Sequence, residues 1–254
     1  MKKVIILNKK EGETPLQALD NFRAKNKEYT DVKMTYAGRL DPMASGLLLV
    51  LTGEETKNRE KYLALDKEYE FEILFGFGTD SYDILGKVIS NKKELLVEQD
   101  SKEFAEIIKL NIKSFLGEYV QKYPMYSSKT VKGKPLFAYA RADEEVVIPE
   151  RKIFVKKLKL EKIRGIDNKK LFQNMEKRIK KVNGDFRQKE IVDIWGKELL
   201  PRDKNKEKFL IASFKIKCSS GTYVRGIANS LGELVGIPAS AFSIKRTRVG
   251  GYVL

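Results

Sequence analysis

From Lys67 to Phe77 the chain reads K-E-Y-E-F-E-I-L-F-G-F, with Tyr69, Phe71, Ile73, Phe75 and Phe77 at every second position. A period of two over that length is the repeat of a β-strand with one buried face; on a helix it would scatter the aromatics around the whole circumference. The chain must therefore build a sheet with apolar matter against it. Val4–Leu7 and Ile211–Cys218 also have strand character, as do Val146–Leu160 and the closing Ser243–Leu254 with Gly250-Gly251. Pro15–Arg23 predicts a short helix, with Thr14 as N-cap, Pro15 at the first helical position and Leu16, Leu19 and Phe22 on one side. Ser101–Leu116 has helical spacing through Phe104, Ile107, Ile108 and Ile112, and Thr222–Val235 through Val224, Ile227, Leu231 and Leu234. Strands and helices mix without regular βαβ alternation, which predicts an α+β fold around a large, mostly antiparallel sheet.

What such a fold can do is narrowed by what is missing. The 254 residues contain no histidine and one cysteine, Cys218. Serine triads, zinc hydrolases and zinc deaminases in their usual forms need histidine, and a lone cysteine makes neither an intrachain disulfide nor a cysteine-rich zinc site. Catalysis here must rest on carboxylates, tyrosine, Lys/Arg or an oxygen-bound metal. There is no internal repeat and no glycine-rich dinucleotide or Walker-type phosphate loop. The apolar start Val4–Leu7 is too short for a signal peptide and Leu47–Leu51 far too short for a membrane span, so a cytoplasmic protein is expected.

The formal net charge is +15, but it is not spread evenly. Residues 1–150 carry 24 basic and 25 acidic groups, whereas residues 151–217 carry 22 against 9. Such a stretch suits a polyanion, nucleic acid first; a solvated lysine-rich surface explains it too. Within it, residues 161–210 read as an insertion with some core of its own, Leu171, Phe172, Met175, Ile179 and Val182 falling at helical spacing before a charged stretch through Lys208.

The segment richest in chemistry is Y-A-G-R-L-D-P-M-A-S-G-L-L, residues 36–48, a glycine-bounded loop that enters the apolar strand Leu47–Leu51. Asp41 between Leu40 and Pro42 is a poised carboxylate, although Asp-Pro in a loop also serves as a simple turn initiator. Further blocks follow in order: G-E-E-T-K (53–57), the Tyr69 strand with L-F-G-F-G-T-D-S-Y-D (74–83), Q-K-Y-P-M-Y-S-S-K (121–129) with G-K-P-L-F-A-Y-A-R (133–141), and C-S-S-G-T-Y-V-R (218–225) with Leu231-Gly232. Together they resemble the TruB-type tRNA pseudouridine synthases over most of the chain, excluding about the insertion. The resemblance implies a pseudouridine synthase fold and an isomerase that acts on a uridine in the tRNA T loop, position 55, without metal or other cofactor. It also implies a catalytic set of Asp41, Arg225 paired with it, and Tyr69 as a platform for the flipped base. Substrate contacts would come from Tyr36, Tyr69, Asp83, Tyr223 and Ile244. Left to the residues alone, Tyr69 also suits a core position on its strand, Ile244 suits the core equally well, and Asp80 and Asp83 suit turn capping.

The chemistry agrees with the composition. Moving a uracil from an N1 to a C5 linkage needs an anion near a cation-like sugar carbon, as in glycoside hydrolysis, and aspartate is ordinarily ionised at neutral pH. Three departures from the family pattern stand out. Tyr36 occupies a position where the family commonly has histidine, Lys129 lies one place early with Thr130 behind it, and the chain stops at Leu254, so the usual C-terminal RNA-binding (PUA) domain is expected to be absent. The basic insertion would then supply phosphate contacts in its place, or is a surface loop of this lineage. The expected partner is the tRNA T-arm and the expected state a monomer. A non-catalytic tRNA-binding or folding module, or a synthase for another RNA, are the competing functions.

Overall fold

A computed structural model of the chain describes residues 2–96, 100–200 and 207–254. In chain order the strands are β1 (Val4–Lys9), β2 (Met34–Ala37), β3 (Ala44–Thr52), β4 (Lys67–Phe75), β5 (Phe77–Thr79), β6 (Val88–Asn91), β7 (Gly117–Lys122), β8 (Thr130–Val131), β9 (Lys134–Pro135), β10 (Glu150–Asp167), β11 (Lys208–Cys218), β12 (Ala239–Val249) and β13 (Tyr252–Val253). The helices are α1 (Pro15–Lys25), α2 (Arg59–Leu63), α3 (Ser101–Asn111), α4 (Leu136–Arg141), α5 (Asn168–Ile179), α6 (Gln188–Leu199) and α7 (Val224–Val235). One nine-stranded sheet runs β1-β3-β12-β4-β11-β10-β7, with β2 also on β3 and β13 on β12. Its pairings are antiparallel except where Ala44–Gly46 of β3 meet Ile244–Arg246 of β12 in parallel. The α+β expectation holds. Among the described residues no helix is long and apolar enough to cross a membrane.

β4 behaves as its alternation demands. Tyr69, Phe71 and Ile73 turn inward, and Phe71 stacks on Phe214 of β11 at 5.2 Å. On the other face Glu68 and Glu70 pair with Lys217 and Lys215 of the adjacent β11, and Glu72 pairs with Arg164 of β10, one strand further on. The apolar run of β3 has a different cause: it is covered on both sides. Leu47, Leu49 and Leu51 pack with Tyr62 and Val249, while Val50 packs with Ile5, Leu19 and Tyr29. A strand buried on both faces has no polar positions to alternate with.

Three expectations need correcting. Helix α1 starts at Thr14 with a full capping box, but it buries Pro15, Ala18 and Leu19 and leaves Leu16 exposed. Positions 15, 18, 19 and 22 form the continuous stripe that meets the sheet, so Leu16 falls off it. The strand expected at Val146–Leu160 is β10, which starts at Glu150 and runs 18 residues to Asp167, paired with β11 as far as Lys208. Residues 161–167 and 208–210 are therefore sheet, and only the α5–α6 hairpin projects from it. Nor does that hairpin have its own core: Leu171, Met175, Ile179, Ile191 and Trp195 join the main cluster, Trp195 meeting Phe77 edge-on at 5.0 Å. α5 and α6 pack on each other and on the sheet beneath, so their apolar faces merge with its core. Residues 201–206 of the charged stretch lie outside the described residues.

Gly46 has a specific job at the β3–β12 contact. Its φ is +103°, and an added Cβ would overlap the backbone oxygen and nitrogen of Arg246. That parallel contact fixes where the 38–43 loop leaves the sheet. Gly46→Ala is expected to lower unfolding free energy by at least about 2 kcal/mol, read by urea titration. An unchanged midpoint would show that the two strands can separate without cost.

Candidate active site

The 38–43 loop leaves β2 and folds back into β3 through a turn in which Ala44 N–H donates to the Asp41 carbonyl at 3.0 Å. It delivers the Asp41 side chain, 35% exposed, to the edge of a cavity of about 520 Å³. Across from it, Arg225 enters from the first turn of α7 with only 2% of its side chain exposed. Its Nε donates to Asp41 Oδ2 at 2.8 Å, Nη1 to the Ser81 carbonyl at 2.6 Å and Nη2 to the Tyr126 carbonyl at 2.9 Å. All three nitrogens of the guanidinium are thus engaged, and Asp41, held through Oδ2, is a lining residue of the cavity.

The neighbouring wall is equally fixed. Tyr223 is clamped at its backbone by Gln121, whose Oε1 accepts from Tyr223 N at 2.9 Å and whose Nε2 donates to Tyr223 O at 3.0 Å. The Tyr223 ring stands 5.5 Å from Arg225 and 5.6 Å from Tyr123. Tyr69 from β4 and Ile244 from β12 line the same cavity. Five residues singled out in the sequence, Asp41, Tyr69, Tyr223, Arg225 and Ile244, therefore converge. Asp83 stands apart from that cavity: it is buried, accepts from Ser81 Oγ at 2.8 Å and Leu85 N at 2.9 Å, and faces a second cavity on the other side of Arg225. Tyr36 is not brought in either. It lies half-buried on β2 against the Ile5–Leu19 cluster. Asp80 does the turn work open to it, accepting from Lys87 N at 2.9 Å, and pairs with Arg187 at 2.8 Å.

Two functional cations escaped the sequence reading. Arg246, 1% exposed, donates to the carbonyls of Leu47, Arg39 and Gly38 at 2.7, 3.2 and 3.2 Å. Lys9, fully buried, donates to Glu13 O at 2.6 Å and Lys10 O at 3.0 Å, with Pro42 O at 3.5 Å. Both grip the loop that carries Asp41. In the sequence they are one arginine of I-K-R-T-R and one lysine of a Lys-Lys pair, with nothing to mark them as buried. Among the described residues, seven Lys or Arg line the main cavity against two carboxylates, Asp41 and Glu60.

Burial and charge set the titration of these groups. Burial alone would lower the pKa of Arg225, but the carboxylates of Asp41 and Asp83 outweigh it and push the pKa up. Burial pushes Lys9 and Lys67 down to about 8, and it raises the Tyr69 phenol, which stays protonated. Asp83 is raised to about 6, by burial first and by Asp41, against the opposing pull of Arg225.

This constellation meets its relatives in sequence. Residues 24–184 match the N-terminal domain of the TruB family of pseudouridylate synthases. The chain belongs to that family. Family membership makes it an enzyme, an isomerase that forms pseudouridine. Among curated relatives it is similar to tRNA pseudouridine synthase B of Ligilactobacillus salivarius, 31% identical over 250 residues, covering 98% of this chain and 68% of the relative. The enzyme of that name from Endomicrobium trichonymphae is 31% identical over 247 residues, covering 97% and 84%. Among solved structures, a Cbf5–Nop10–Gar1 complex contains a chain that aligns with a TM-score of 0.55 at 18% identity, over 98% of this chain and 49% of that one. At that identity the likeness establishes the fold.

The raised pKa of Asp83 has a sign that stability measurements can check. An unfolded aspartate titrates near 4 and folded Asp83 near 6, so the folded state binds the extra proton between these values. The stabilisation is complete below about pH 4 and lost as pH rises through 6. Relative to Asp83→Asn, wild-type unfolding free energy is expected to gain about 2–3 kcal/mol on going from pH 8 to pH 4. Parallel pH profiles for the two proteins would contradict it.

Proposed function

We propose that this enzyme converts a uridine of tRNA, position 55 in the T loop, to pseudouridine, with Asp41 as the group that acts on it. The observation that carries the reading is the Asp41–Arg225 pair: a carboxylate held by a buried guanidinium at the edge of a cavity that Tyr69 and Tyr223 also line. The relatives' names, tRNA pseudouridine synthase B, supply the RNA class.

The chemistry follows from this arrangement. The C1′–N1 bond opens, the uracil turns in place, C5 bonds to C1′, and the proton lost from C5 is balanced by one gained at N1. A sugar carbon that becomes cation-like calls for a nearby anion, and Asp41 provides it as nucleophile or base. The base must leave its stack to reach such a cavity, and the Tyr69 ring offers it a face. Seven cations around two carboxylates favour a strand that carries phosphates. The whole chain forms one catalytic domain, with the α5–α6 hairpin as its appended element. Exposed Lys169, Lys177 and Lys181 on that hairpin add phosphate contacts that raise affinity without reading sequence. On this reading the enzyme works in the cytoplasm and as a monomer.

Incubation with unmodified tRNA transcripts, followed by mapping of pseudouridine, tests the reading. Wild-type protein is expected to modify one T-loop uridine, and Asp41→Asn to lower the rate at least about a thousandfold while RNA binding persists. Product from Asp41→Asn at the wild-type rate would remove Asp41 from the mechanism. Binding without product from wild type would favour a tRNA-folding module.

A further inference from the structure

The α5–α6 hairpin reaches the Asp41 loop without lining the main cavity. Near the end of α5, Arg178 keeps only 11% of its side chain exposed. Its Nε and Nη2 donate to the two carboxylate oxygens of Glu11 at 2.9 and 2.7 Å, and Nη1 meets Asn174 Oδ1 of its own helix at 3.3 Å. Nη2 also donates to the Phe242 carbonyl at 2.7 Å, with the guanidinium 4.7 Å over the Phe242 ring. Glu11 and Phe242 each adjoin a part of the site's frame. Gly12 N–H donates to the Pro42 carbonyl, one residue from Asp41, at 2.9 Å, and the Gly12 carbonyl accepts from Asn183 N–H of the α5–α6 loop at 3.1 Å. The approach is close: a Cβ at Gly12, whose φ is +93°, would come within 2.7 Å of the Lys181 carbonyl oxygen. Phe242 is the extra residue of a bulge in β12, since Ala241 pairs with Ile73 and Ser243 with Glu72. Just beyond it, Ile244 pairs with Ala44 and lines the cavity, and Arg246 grips Gly38 and Arg39.

We propose that Arg178 is a positioning residue for the reaction: it ties the turn after β1 to the bulge in β12 and so sets where the loop carries Asp41. This role rests on the reading that Asp41 acts on the uridine. Arg225 orients the Asp41 carboxylate, but a bond to a side chain leaves open where the backbone beneath it stands. That backbone is held from two places. Arg246 on β12 takes Gly38 and Arg39 on one side of Asp41, and the turn after β1 takes Pro42 on the other through Gly12 and Lys9. β3 lies between β1 and β12 in the sheet, so no ladder fixes these two anchors to each other. Arg178 spans them with one planar group, and its paired contact with Glu11, 25% exposed, is both directional and partly shielded from salt. The hairpin then acts on the turnover step through the Asp41 loop, a role separate from the phosphate contacts of its exposed lysines.

The test compares the full chain with its Arg178→Met, Arg178→Lys, Glu11→Gln and doubly substituted Glu11→Gln/Arg178→Met variants. The substrate is a T-arm stem-loop, and the temperature is one at which circular dichroism shows every variant folded. Arg178→Met is expected to lower kcat about tenfold to a hundredfold, the scale of a misplacement of about 1 Å, with KM held within about twofold. Arg178→Lys keeps one charged hydrogen bond and recovers part of the loss. The double variant is no slower than Arg178→Met, because both substitutions cut the same tie. Amide hydrogen exchange reads the coupling without any turnover: in Arg178→Met the Gly12 and Ala44 N–H groups exchange faster, while Ile73 N–H in the central strand β4 keeps its protection. A raised KM with unchanged kcat would overturn the proposal and make Arg178 an RNA contact. Exchange that quickens equally at Gly12, Ala44 and Ile73 would overturn it as well, leaving Arg178 a role in stability alone. Absence of pseudouridine from wild type on every RNA would instead strike the reading of Asp41, and the exchange rates would still show whether Arg178 sets its loop.

Discussion

A guanidinium with 2% of its side chain in water stays charged only if fixed acceptors replace the water it lost, and the site is organised around that requirement at Arg225. Its partners come from positions 41, 81 and 126, three segments far apart in the chain. The sheet order explains how they meet. β3, β12 and β4 lie side by side, so the loop before β3 and the turn after β5 open at one end, where α7 begins. The buried guanidinium cannot trade Asp41 for water, so the pair orients the Asp41 carboxylate before any RNA arrives.

Two further buried cations extend the same logic outward. Arg246 and Lys9 hold carbonyls of Gly38, Arg39 and Pro42, so two buried cations besides Arg225 fix the Asp41 loop, and Arg246 also lines the cavity. Burying such charges is costly, and the depressed pKa of Lys9 records that cost. Their charge is not wasted in a site that faces a polyanion, because positive groups in a low-dielectric wall are weakly screened. The arrangement therefore couples loop rigidity to electrostatic attraction. Residues 1–150 carry nearly equal numbers of acids and bases, yet the cavity they largely build is strongly cationic.

Much of this was legible in the sequence, for reasons tied to particular residues. β4 announced itself because one face is buried and the other carries glutamates, and Thr14-Pro15 marked the start of α1 because capping chemistry is local. Asp41 and Arg225 were legible through motifs and not through spacing, since 184 residues separate them. Arg246 and Lys9 were not legible, because a buried cation differs from an exposed one only in the carbonyls that surround it, which tertiary structure supplies. The rotation of α1, the extent of β10 and the docking of Trp195 on Phe77 are likewise decided by the partner surface. Counting charge by segment pointed to the α5–α6 region and overlooked the cations around Asp41, since net counts average over faces that never meet.

In the proposed complex a uridine removed from its stack lies with its sugar at Asp41 and its base against Tyr69. A crystal structure of Asp41→Asn bound to a T-arm stem-loop measures this directly. The expected result is a target uridine outside the helix, with C1′ within about 4 Å of the side chain at position 41, the approach distance of a reacting pair. A uridine still stacked in its loop, or a sugar on the far side of Tyr69, would contradict the assignment of Asp41 to the chemistry.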